Sequence, residues 1–307
     1  MNPALIALDW GTTSLRAYLL DENGNTLAKQ SAPLGILKIP GNDFDAAFEE
    51  ICAPWLAYGL EAASVLASGM IGSRHGWREA PYVPCPAGLE QLARKFVLLT
   101  TKKGRRVVIV PGVSTENSAG VPDVMRGEET QILGALKSAN GAQLFVLPGT
   151  HSKWVLVENQ QITRFATFMT GEVFAILKEH SILGRTMQGD ADDINAFKQG
   201  YEYANNETAN AAGLLQLLFS ARTLALFDRM PAEALHAYLS GLLIGSEIRG
   251  AVQSFSGQFE ITIIAAATLA DRYKRAFDFS QIRAEIAADN VTPLGLFRLA
   301  QTSGLLK

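Results

Sequence analysis

Residues 4–14 read ALIALDWGTTS, a short apolar run that ends in a polar turn of small residues. An uninterrupted apolar run of this length, bounded by turn residues, is typical of a buried strand. Residues 14–20 predict a second strand and residues 26–30 a third, joined by an Asn-Gly hairpin turn that tolerates positive φ. We therefore expect the chain to begin with strand, turn, strand, turn, strand.

The second half of the chain repeats this order of elements. An apolar run at 144–147 precedes a polar turn at 148–152, and strands are predicted at 154–157 and 162–168. The pattern Gly-Thr-x-Ser that begins at Gly11 recurs at Gly149, an offset of 149 − 11 = 138 residues. Internal repetition of this kind predicts two related lobes. Clefts between lobes are favoured ligand sites, so we expect the two turns to face each other across one.

The predicted boundary lies near residue 140, giving lobes 1–140 and 141–307, with the last helix crossing back onto the first lobe. Further strands are predicted at 65–68, 107–111 and 258–265, and residues 89–100 are helical or mixed. Helices are predicted at 43–60 (interrupted by Pro54), 128–138, 172–179, 193–204, 208–227, 232–255, 269–277 and 290–301.

Composition excludes several classes of protein. Of the 307 residues 48% are hydrophobic, which argues against disorder, and 27 basic against 30 acidic residues leave a net charge of −3, without the basic footprint of a nucleic-acid binder. Neither a signal peptide nor an apolar stretch long enough for a bilayer is visible. We expect a soluble cytoplasmic protein with no nucleic-acid or membrane partner. Cys52 and Cys85 are expected to be reduced thiols, and a homodimer is compatible with the sequence.

Several segments resemble known families. The segment Asp9–Ser14 resembles the first phosphate loop of the sugar kinase, Hsp70 and actin superfamily, and residues 148–154 occupy the place of its second. Longer segments resemble the 2-dehydro-3-deoxygalactonokinase family specifically, and the likeness runs along nearly the whole chain. These segments are Ser68–Arg74, Gly76-Trp77 with Pro81-Tyr82, Met125–Gln131 and Phe168–Glu172.

This resemblance implies an α/β fold of two ribonuclease H-like (actin-like ATPase) lobes, with mixed five-stranded sheets and a central cleft. It implies ATP-dependent phosphorylation of 2-dehydro-3-deoxy-D-galactonate at its 6-hydroxyl, in galactonate catabolism, with Mg²⁺. The first lobe is expected to hold the sugar acid and the second lobe the adenosine.

The two turns carry the candidate phosphate and metal ligands. Asp9 ends an apolar strand, and a carboxylate suits Mg²⁺; the alternative is a simple turn cap. The hydroxyls of the turns suit phosphate oxygens but could equally satisfy their own backbone. Lys153 offers a compact positive charge or is a surface lysine, and His151 could be a packing residue. The candidate nucleotide-binding residues are Gly11, Thr12, Thr13, Ser14, Gly149, Thr150, His151, Ser152 and Lys153.

The candidate general base is Glu128, with Glu129 second. Acidic residues at a helix start are also favoured by the helix dipole alone. In related carbohydrate kinases a Gly-Asp pair opens the corresponding helix and its aspartate is the base. The pair Gly127-Glu128 matches that position with a longer side chain, which leaves the geometry of the base open.

A 2-oxo acid brings a carboxylate, which arginine can bind in two-pronged fashion. The resemblance favours Arg74 for this role, and Trp77 for packing on the carbon chain. Arg126 and the segment Ser68, Gly69, Met70 are further candidates for substrate binding. Glu172 is another candidate for the pocket. Arg16 lies on a strand near the first polar turn, and the sequence leaves open which face of the strand it is on. His75, His180 and His236 lack metal-ligand spacing, so we interpret them as structural or surface residues.

The position of the superfamily's glycine-rich adenosine turn reads Ile264-Ala265-Ala266-Ala267-Thr268. Ala266 is the candidate adenosine contact. Because alanine resists positive φ, this departure predicts an altered turn and a changed nucleotide affinity. Residues 241–247, on the preceding helix, could border the adenine.

Three other functions fit parts of this pattern. The chain could phosphorylate another sugar acid or a hexose, since residues do not reveal the stereochemistry at one carbon. A sugar-sensing regulator would need a DNA-binding segment, for which the first strand leaves no room upstream. A filament-forming actin-like ATPase is the remaining alternative.

Overall fold

The structure is a computed structural model that describes residues 3–56, 63–137, 141–211 and 213–306. The chain divides into two compact units, and parts of its second half belong to the first unit. The first unit comprises Met1–Ala142, Val157–Phe165 and Ala287–Lys307, and the second comprises Gln143–Leu156 and Ala166–Ile286.

The first unit is built on a mixed sheet whose described strands run in the order β3-β2-β1-β4-β7-β6. Strand β1 pairs antiparallel with β2 and parallel with β4, so the expected opening of three strands in succession is confirmed. The strands are β1 (Pro3–Trp10), β2 (Leu15–Asp21), β3 (Thr26–Ala32), β4 (Ser64–Ser68), β6 (Val97–Thr100) and β7 (Arg106–Ile109).

This sheet has six described strands rather than five. The extra one, β6, alternates half-buried and exposed residues, as an edge strand does. It lies within residues 89–100, which were predicted to be helical or mixed. A separate small sheet, not predicted, runs in the order β5-β8-β9. Its strands are β5 (Tyr82–Pro84), β8 (Gly112–Glu116) and β9 (Pro122–Met125).

The helices of the first unit are α1 (Phe44–Leu56), α2 (Leu89–Ala93), α3 (Glu128–Ala135) and α11 (Val291–Thr302). Helix α1 continues through Pro54; its expected end at residues 57–60 lies outside the described residues, as do Ser138 of the expected α3 and Asn140 at the expected boundary. Helix α11 packs on α3, where Arg298 donates to the carbonyl of Leu136 at 3.2 Å and so caps the end of α3.

The second unit repeats the opening of three strands. Its described strands run in the order β12-β11-β10-β13-β14, with β13 parallel to both β10 and β14. They are β10 (Ala142–Leu147), β11 (Ser152–Glu158), β12 (Gln161–Phe168), β13 (Glu260–Ile263) and β14 (Ala284–Ile286). The tip of the β11–β12 hairpin belongs to the first unit.

One long helix was expected over 208–227, and the described residues there form three short ones. Asn206 caps the first, and Gly213, at φ +80°, precedes the second. The helices of this unit are α4 (Thr170–His180), α5 (Ile194–Asn205), α6 (Glu207–Asn210), α7 (Leu214–Leu218), α8 (Ser220–Leu226), α9 (Leu235–Ser254) and α10 (Ala267–Phe279).

The cysteines are free, and burial raises the pKa of Cys52 to about 12 and that of Cys85 to about 11. Both are therefore protonated thiols of low reactivity. Among the described helices, none combines the length and the apolar character needed to cross a bilayer.

Candidate functional site

Asp9 lies where β1 ends in the first polar turn. It faces Arg16 on β2 and Ser68 on β4. Arg16 Nη1 donates to Asp9 Oδ2 at 3.2 Å, and the Asp9 side chain is 14% exposed against 47% for Arg16. Burial raises the pKa of Asp9, and the charge of Arg16 opposes that rise. The site thus contains a largely buried carboxylate with one exposed cation beside it.

The turn after Asp9 is held by its own backbone and by the segment that follows β3. The amide of Gly11 donates to the carbonyl of Ser14 at 2.9 Å, and the amide of Ile36 donates to the carbonyl of Gly11 at 3.0 Å. The side chains of Thr12 and Thr13 are exposed. Two hydroxyls are therefore presented to solvent on a braced turn.

Three predicted segments meet at this edge of the first unit. Gly69 has φ +93°, and a Cβ there would lie 2.8 Å from the carbonyl oxygen of Trp10, so the segment after β4 passes against the end of β1. A Cβ on Gly127, just before α3, would lie 3.2 Å from Cα of Gly69. Asp9 and Ser68 come together because β1 and β4 are parallel and end at the same edge of the sheet. The close approach of Gly127 to Gly69 brings the start of α3 to this edge.

The two glutamates at the start of α3 have different surroundings. Glu128 is half-buried, and its Oε2 accepts from the amide of Arg126 at 3.0 Å. Glu129 is fully buried, and its Oε2 accepts from the amide of Gly127 at 2.7 Å. Burial, reinforced by the charge of Glu128, raises the pKa of Glu129 to about 8. Glu128 is the one within reach of a ligand from solvent.

Glu129→Gln should change how stability depends on pH. Glu129 titrates at about 4.5 when unfolded and about 8 when folded, so between these values the unfolded chain holds fewer protons and wild-type stability falls with rising pH. The loss is at most about 1.4 kcal/mol per pH unit. Because Gln cannot titrate, the variant should lose less stability than the wild type from pH 5 to 8. Urea unfolding across this pH range measures the free energy of unfolding of both proteins. If it depended on pH in the same way in the variant and the wild type, the raised pKa of Glu129 would be contradicted.

The arginine and tryptophan candidates for substrate binding differ in exposure. Arg74 is exposed. Arg126 is 8% exposed, donates from Nη2 to the carbonyl of Ala80 at 2.8 Å and lies 4.3 Å from the centre of the Tyr82 ring. Its Nε and Nη1 have no hydrogen-bond partner among the described residues. A buried guanidinium with donors to spare is suited to an anion.

The other candidates in this segment are mostly buried. The hydroxyl of Ser68 is fully buried and has no hydrogen-bond partner within the described ranges, and Met70 is half-buried against the core. The ring of Trp77 stacks on Phe44, with centroids 6.5 Å apart, and packs on other core aromatic rings. Trp77 therefore has a packing role whether or not it contacts substrate.

The second polar turn, in the second unit, is held by the start of α4. The amide of Glu172 donates to the carbonyl of Thr150 at 3.0 Å, and a Cβ on Gly171 would lie 2.3 Å from the carbonyl oxygen of Gly149, so no other residue fits there. Thr150 and His151 are exposed, and His151 Nε2 contacts a carboxylate oxygen of Glu172. Glu172 thereby orients the His151 ring.

The next two residues of the turn point away from solvent. Ser152 is fully buried, with Oγ 3.1 Å from the hydroxyl oxygen of Tyr273. Lys153 is 5% exposed, and its Nζ donates to Oγ1 of Thr167 at 2.7 Å. Successive side chains alternate along β11, so these two lie on opposite faces of the sheet.

The alanine-rich turn forms without strain. Ala266 is the exposed N-cap of α10 at φ −60°, ψ 145°, which any residue adopts. The expected conflict with positive φ therefore does not arise. No side chain caps the helix here, and the first amides of an α-helix have no acceptor within the helix.

A cavity of about 360 Å³ lies in the second unit between the start of α4 and the second half of α9. Its lining includes Met169, Thr170, Leu243 and Arg249 beside the buried Glu247. Glu247 and Tyr273 are functional candidates that sequence reasoning missed as a pair. They lie on different helices, and 26 positions separate them, so no local spacing links them.

Metal-ligating residues do not cluster in the part of the chain that the structure describes: no group of three His, Cys, Asp or Glu side chains could hold an ion. His75 and His180 are exposed, and His236 is buried against the ring of Phe174, as a structural histidine would be.

Comparison with known proteins defines the class first. Over 98% of this chain and 96% of the other, the fold matches that of the activator of 2-hydroxyisocaproyl-CoA dehydratase from Clostridium difficile, with a TM-score of 0.51 at 9% identity. This is the actin-like ATPase fold of two ribonuclease H-like units. The family model that matches most of the chain makes it an ATP-dependent sugar kinase on that fold.

The particular family is shown by a match to a protein-family model and by similarity to individual relatives. The chain belongs to the 2-keto-3-deoxy-galactonokinase family, whose model matches residues 9–299. It is 35% identical to the 2-dehydro-3-deoxygalactonokinase of Escherichia coli K12, over 90% of each chain. A crystal structure of a Sinorhizobium meliloti protein, provisionally given the same activity, has a TM-score of 0.88 at 31% identity and covers 97% of this chain and 98% of its own.

Proposed function

We propose that this protein phosphorylates 2-dehydro-3-deoxy-D-galactonate at the 6-hydroxyl with ATP, giving 2-dehydro-3-deoxy-6-phosphogalactonate and ADP, in the galactonate catabolism of the cytoplasm. The observation that carries the proposal is the meeting of Asp9, the Gly69 segment and the half-buried Glu128 at one edge of a sheet. Membership of the kinase family supports the same reaction.

Glu128 is the general base of the proposed reaction. Its carboxylate lies at the start of α3, partly open to solvent, where it can accept the proton of the 6-hydroxyl as the oxygen attacks the γ-phosphorus. Glu129 beside it is buried and protonated near neutral pH, so it holds the amide of Gly127 rather than taking part in proton transfer.

Asp9 fits the role of an Mg²⁺ ligand. It supplies a carboxylate whose burial disfavours the charged form and which a cation would stabilise. Mg²⁺ needs only one or two protein carboxylates, with waters and phosphates completing its shell, which agrees with the absence of a larger acidic cluster among the described residues. When bound, the ion neutralises charge that develops on the phosphates.

Each unit carries residues that we assign to contacts with ATP. Thr12 and Thr13 offer exposed hydroxyls, the second turn offers Thr150 and His151, and Ala266 begins the helix assigned to the adenosine. The backbone of the two turns is shaped by Gly11, Ser14 and Gly149. The buried Lys153, on β11, contributes positive charge. Because these residues are assigned to the nucleotide and not to the sugar acid, their substitution should raise the KM of ATP more than the KM of the sugar acid.

The sugar acid is held by the segment after β4 and the residues before α3. Arg126 is assigned to its carboxylate, because two of its buried donors lack partners, and Arg74 is the exposed second cation. Ser68, Gly69 and Met70 line this segment, and the edge of Trp77 adds apolar contact.

The proposal is tested by an ADP-release assay on a panel of galactonate- and gluconate-derived 2-oxo-3-deoxy acids together with hexoses. The galactonate-derived acid is expected to give the highest kcat/KM. A higher value for another acid or for a hexose would assign the site to that substrate, and ADP release with no acceptor dependence would contradict a kinase.

A further inference from the structure

A buried chain of hydrogen bonds lies beneath the second polar turn. Oγ of Ser152 is 3.1 Å from the hydroxyl oxygen of Tyr273, which donates to Oε2 of Glu247 at 2.6 Å. Nε1 of Trp154 donates to Oε1 of the same carboxylate at 2.8 Å. All four side chains are at most 3% exposed. This hydrogen-bond network therefore connects Ser152, the first residue of β11, to both α9 and α10.

The donors and acceptors in this chain can be assigned. A tyrosine hydroxyl has one hydrogen, and Tyr273 gives it to Glu247, so towards Ser152 it is an acceptor. The hydroxyl of Ser152 has the Glu247 carboxylate as a second buried acceptor. The indole of Trp154 can only donate. Both carboxylate oxygens are thus occupied, and the only hydrogen of the Ser152 hydroxyl is directed into the core. Ser152 is therefore an anchor of the turn rather than a donor to phosphate.

The same carboxylate reaches the start of α4. The hydroxyl of Thr170 also bonds to Glu247, and the next two residues, Gly171 and Glu172, pack on and bond to the carbonyls of Gly149 and Thr150. The second turn is therefore held both through Ser152 and through the start of α4, and each of these is hydrogen-bonded to the network around Glu247.

Burying a carboxylate this deeply is costly. Burial raises the pKa of Glu247, opposed by the hydrogen bonds it accepts. An apolar residue of similar size often packs in such a place without loss of stability. Stability alone therefore does not explain a carboxylate here, whereas a need to fix the positions of several segments does.

We propose that Glu247 and Tyr273 are positioning residues for the nucleotide: they fix the second polar turn relative to the helix that begins at Ala266. Tyr273 lies on α10, two turns after that N-cap, and Ser152 directly follows the exposed part of the turn. Binding of one ATP by both segments then needs no rearrangement of either. This inference rests on the proposed function, because it takes ATP as the ligand of both segments.

The second unit offers a matched control. Tyr238 is also buried, and its hydroxyl lies 2.7 Å from Oγ of Ser220, but this pair joins α9 to α8 and touches neither nucleotide segment. Tyr238→Phe thus removes a buried tyrosine–serine hydrogen bond of the same kind at a place where nucleotide binding should not depend on it.

The test compares Tyr273→Phe, Glu247→Gln and Ser152→Ala with Tyr238→Phe. The dissociation constant of ATP, titrated without sugar acid, should rise about tenfold in the first three variants, as expected for losing a hydrogen bond within a network that includes a charge. Their KM for ATP should rise in parallel while the KM of the sugar acid stays within about twofold. Tyr238→Phe should lower Tm without weakening ATP binding.

Unchanged ATP affinity in folded Tyr273→Phe and Ser152→Ala would overturn the inference, and so would an equal loss in Tyr238→Phe, which would mean general loosening. Both decisive variants only remove a hydroxyl, so they test the inference even if Glu247→Gln does not fold. A wild type that binds ATP but phosphorylates no acceptor would contradict the proposed function alone, and a wild type that does not bind ATP would overturn both.

Discussion

Glu128→Gln should lower kcat by about 10²–10⁴-fold and change the KM of the sugar acid by less than about threefold. Gln has the size of Glu and can still accept from the amide of Arg126, so the start of α3 should keep its geometry. It cannot accept the proton of the 6-hydroxyl. Steady-state kinetics with the galactonate-derived acid, together with Tm, measure both effects.

Glu128→Asp is the informative companion to this variant. It retains the carboxylate on a side chain shorter by one methylene, the length implied for the related kinases. Its kcat should lie between those of the wild type and Glu128→Gln. Wild-type turnover in Glu128→Gln would show that Glu128 is not the base. Equal losses of kcat in both variants would show that the position of the side chain, and not its ability to accept a proton, limits the rate.

Asp9→Asn should have the second-largest effect, a fall in kcat of about 10²-fold or more, with a higher Mg²⁺ concentration needed for half-maximal rate. Because burial disfavours the charged form of Asp9, a neutral amide should cost little stability despite the lost ion pair with Arg16. Loss of activity with an almost unchanged Tm is the expected result. Kinetics across an Mg²⁺ titration and thermal unfolding measure it.

Asp21→Asn is the matched control on the same sheet. The carboxylate of Asp21 accepts from the amides of Asn23 and Asn25 and from the side chain of Asn25, and these hydrogen bonds lower its pKa. This aspartate stabilises a hairpin turn, so its replacement should lower Tm and leave kcat unchanged. The assignment of Asp9 would fail if the two variants behaved alike.

The opening strands were predictable because their signals are local. An apolar run followed by small turn residues gives β1 and β10 with ends shifted by one or two residues. The prediction of one helix over 208–227 was wrong for a local reason as well, since Gly213, at positive φ, interrupts it between α6 and α7. The small sheet of β5, β8 and β9 escaped prediction because its strands are very short and because β5 pairs with β8 although α2, β6 and β7 lie between them in the chain.

The sequence by itself determined the two repeated turns, the pair Gly127-Glu128 and the family, because these depend on residue type and spacing along the chain. Only the tertiary structure decided which glutamate is buried, that Arg126 has unused donors, and that Ser152 turns inward to Tyr273 and Glu247. Burial and hydrogen-bond partners depend on which segments pack together, and residues as far apart as Ser152 and Tyr273 leave no periodic trace of that packing in the sequence.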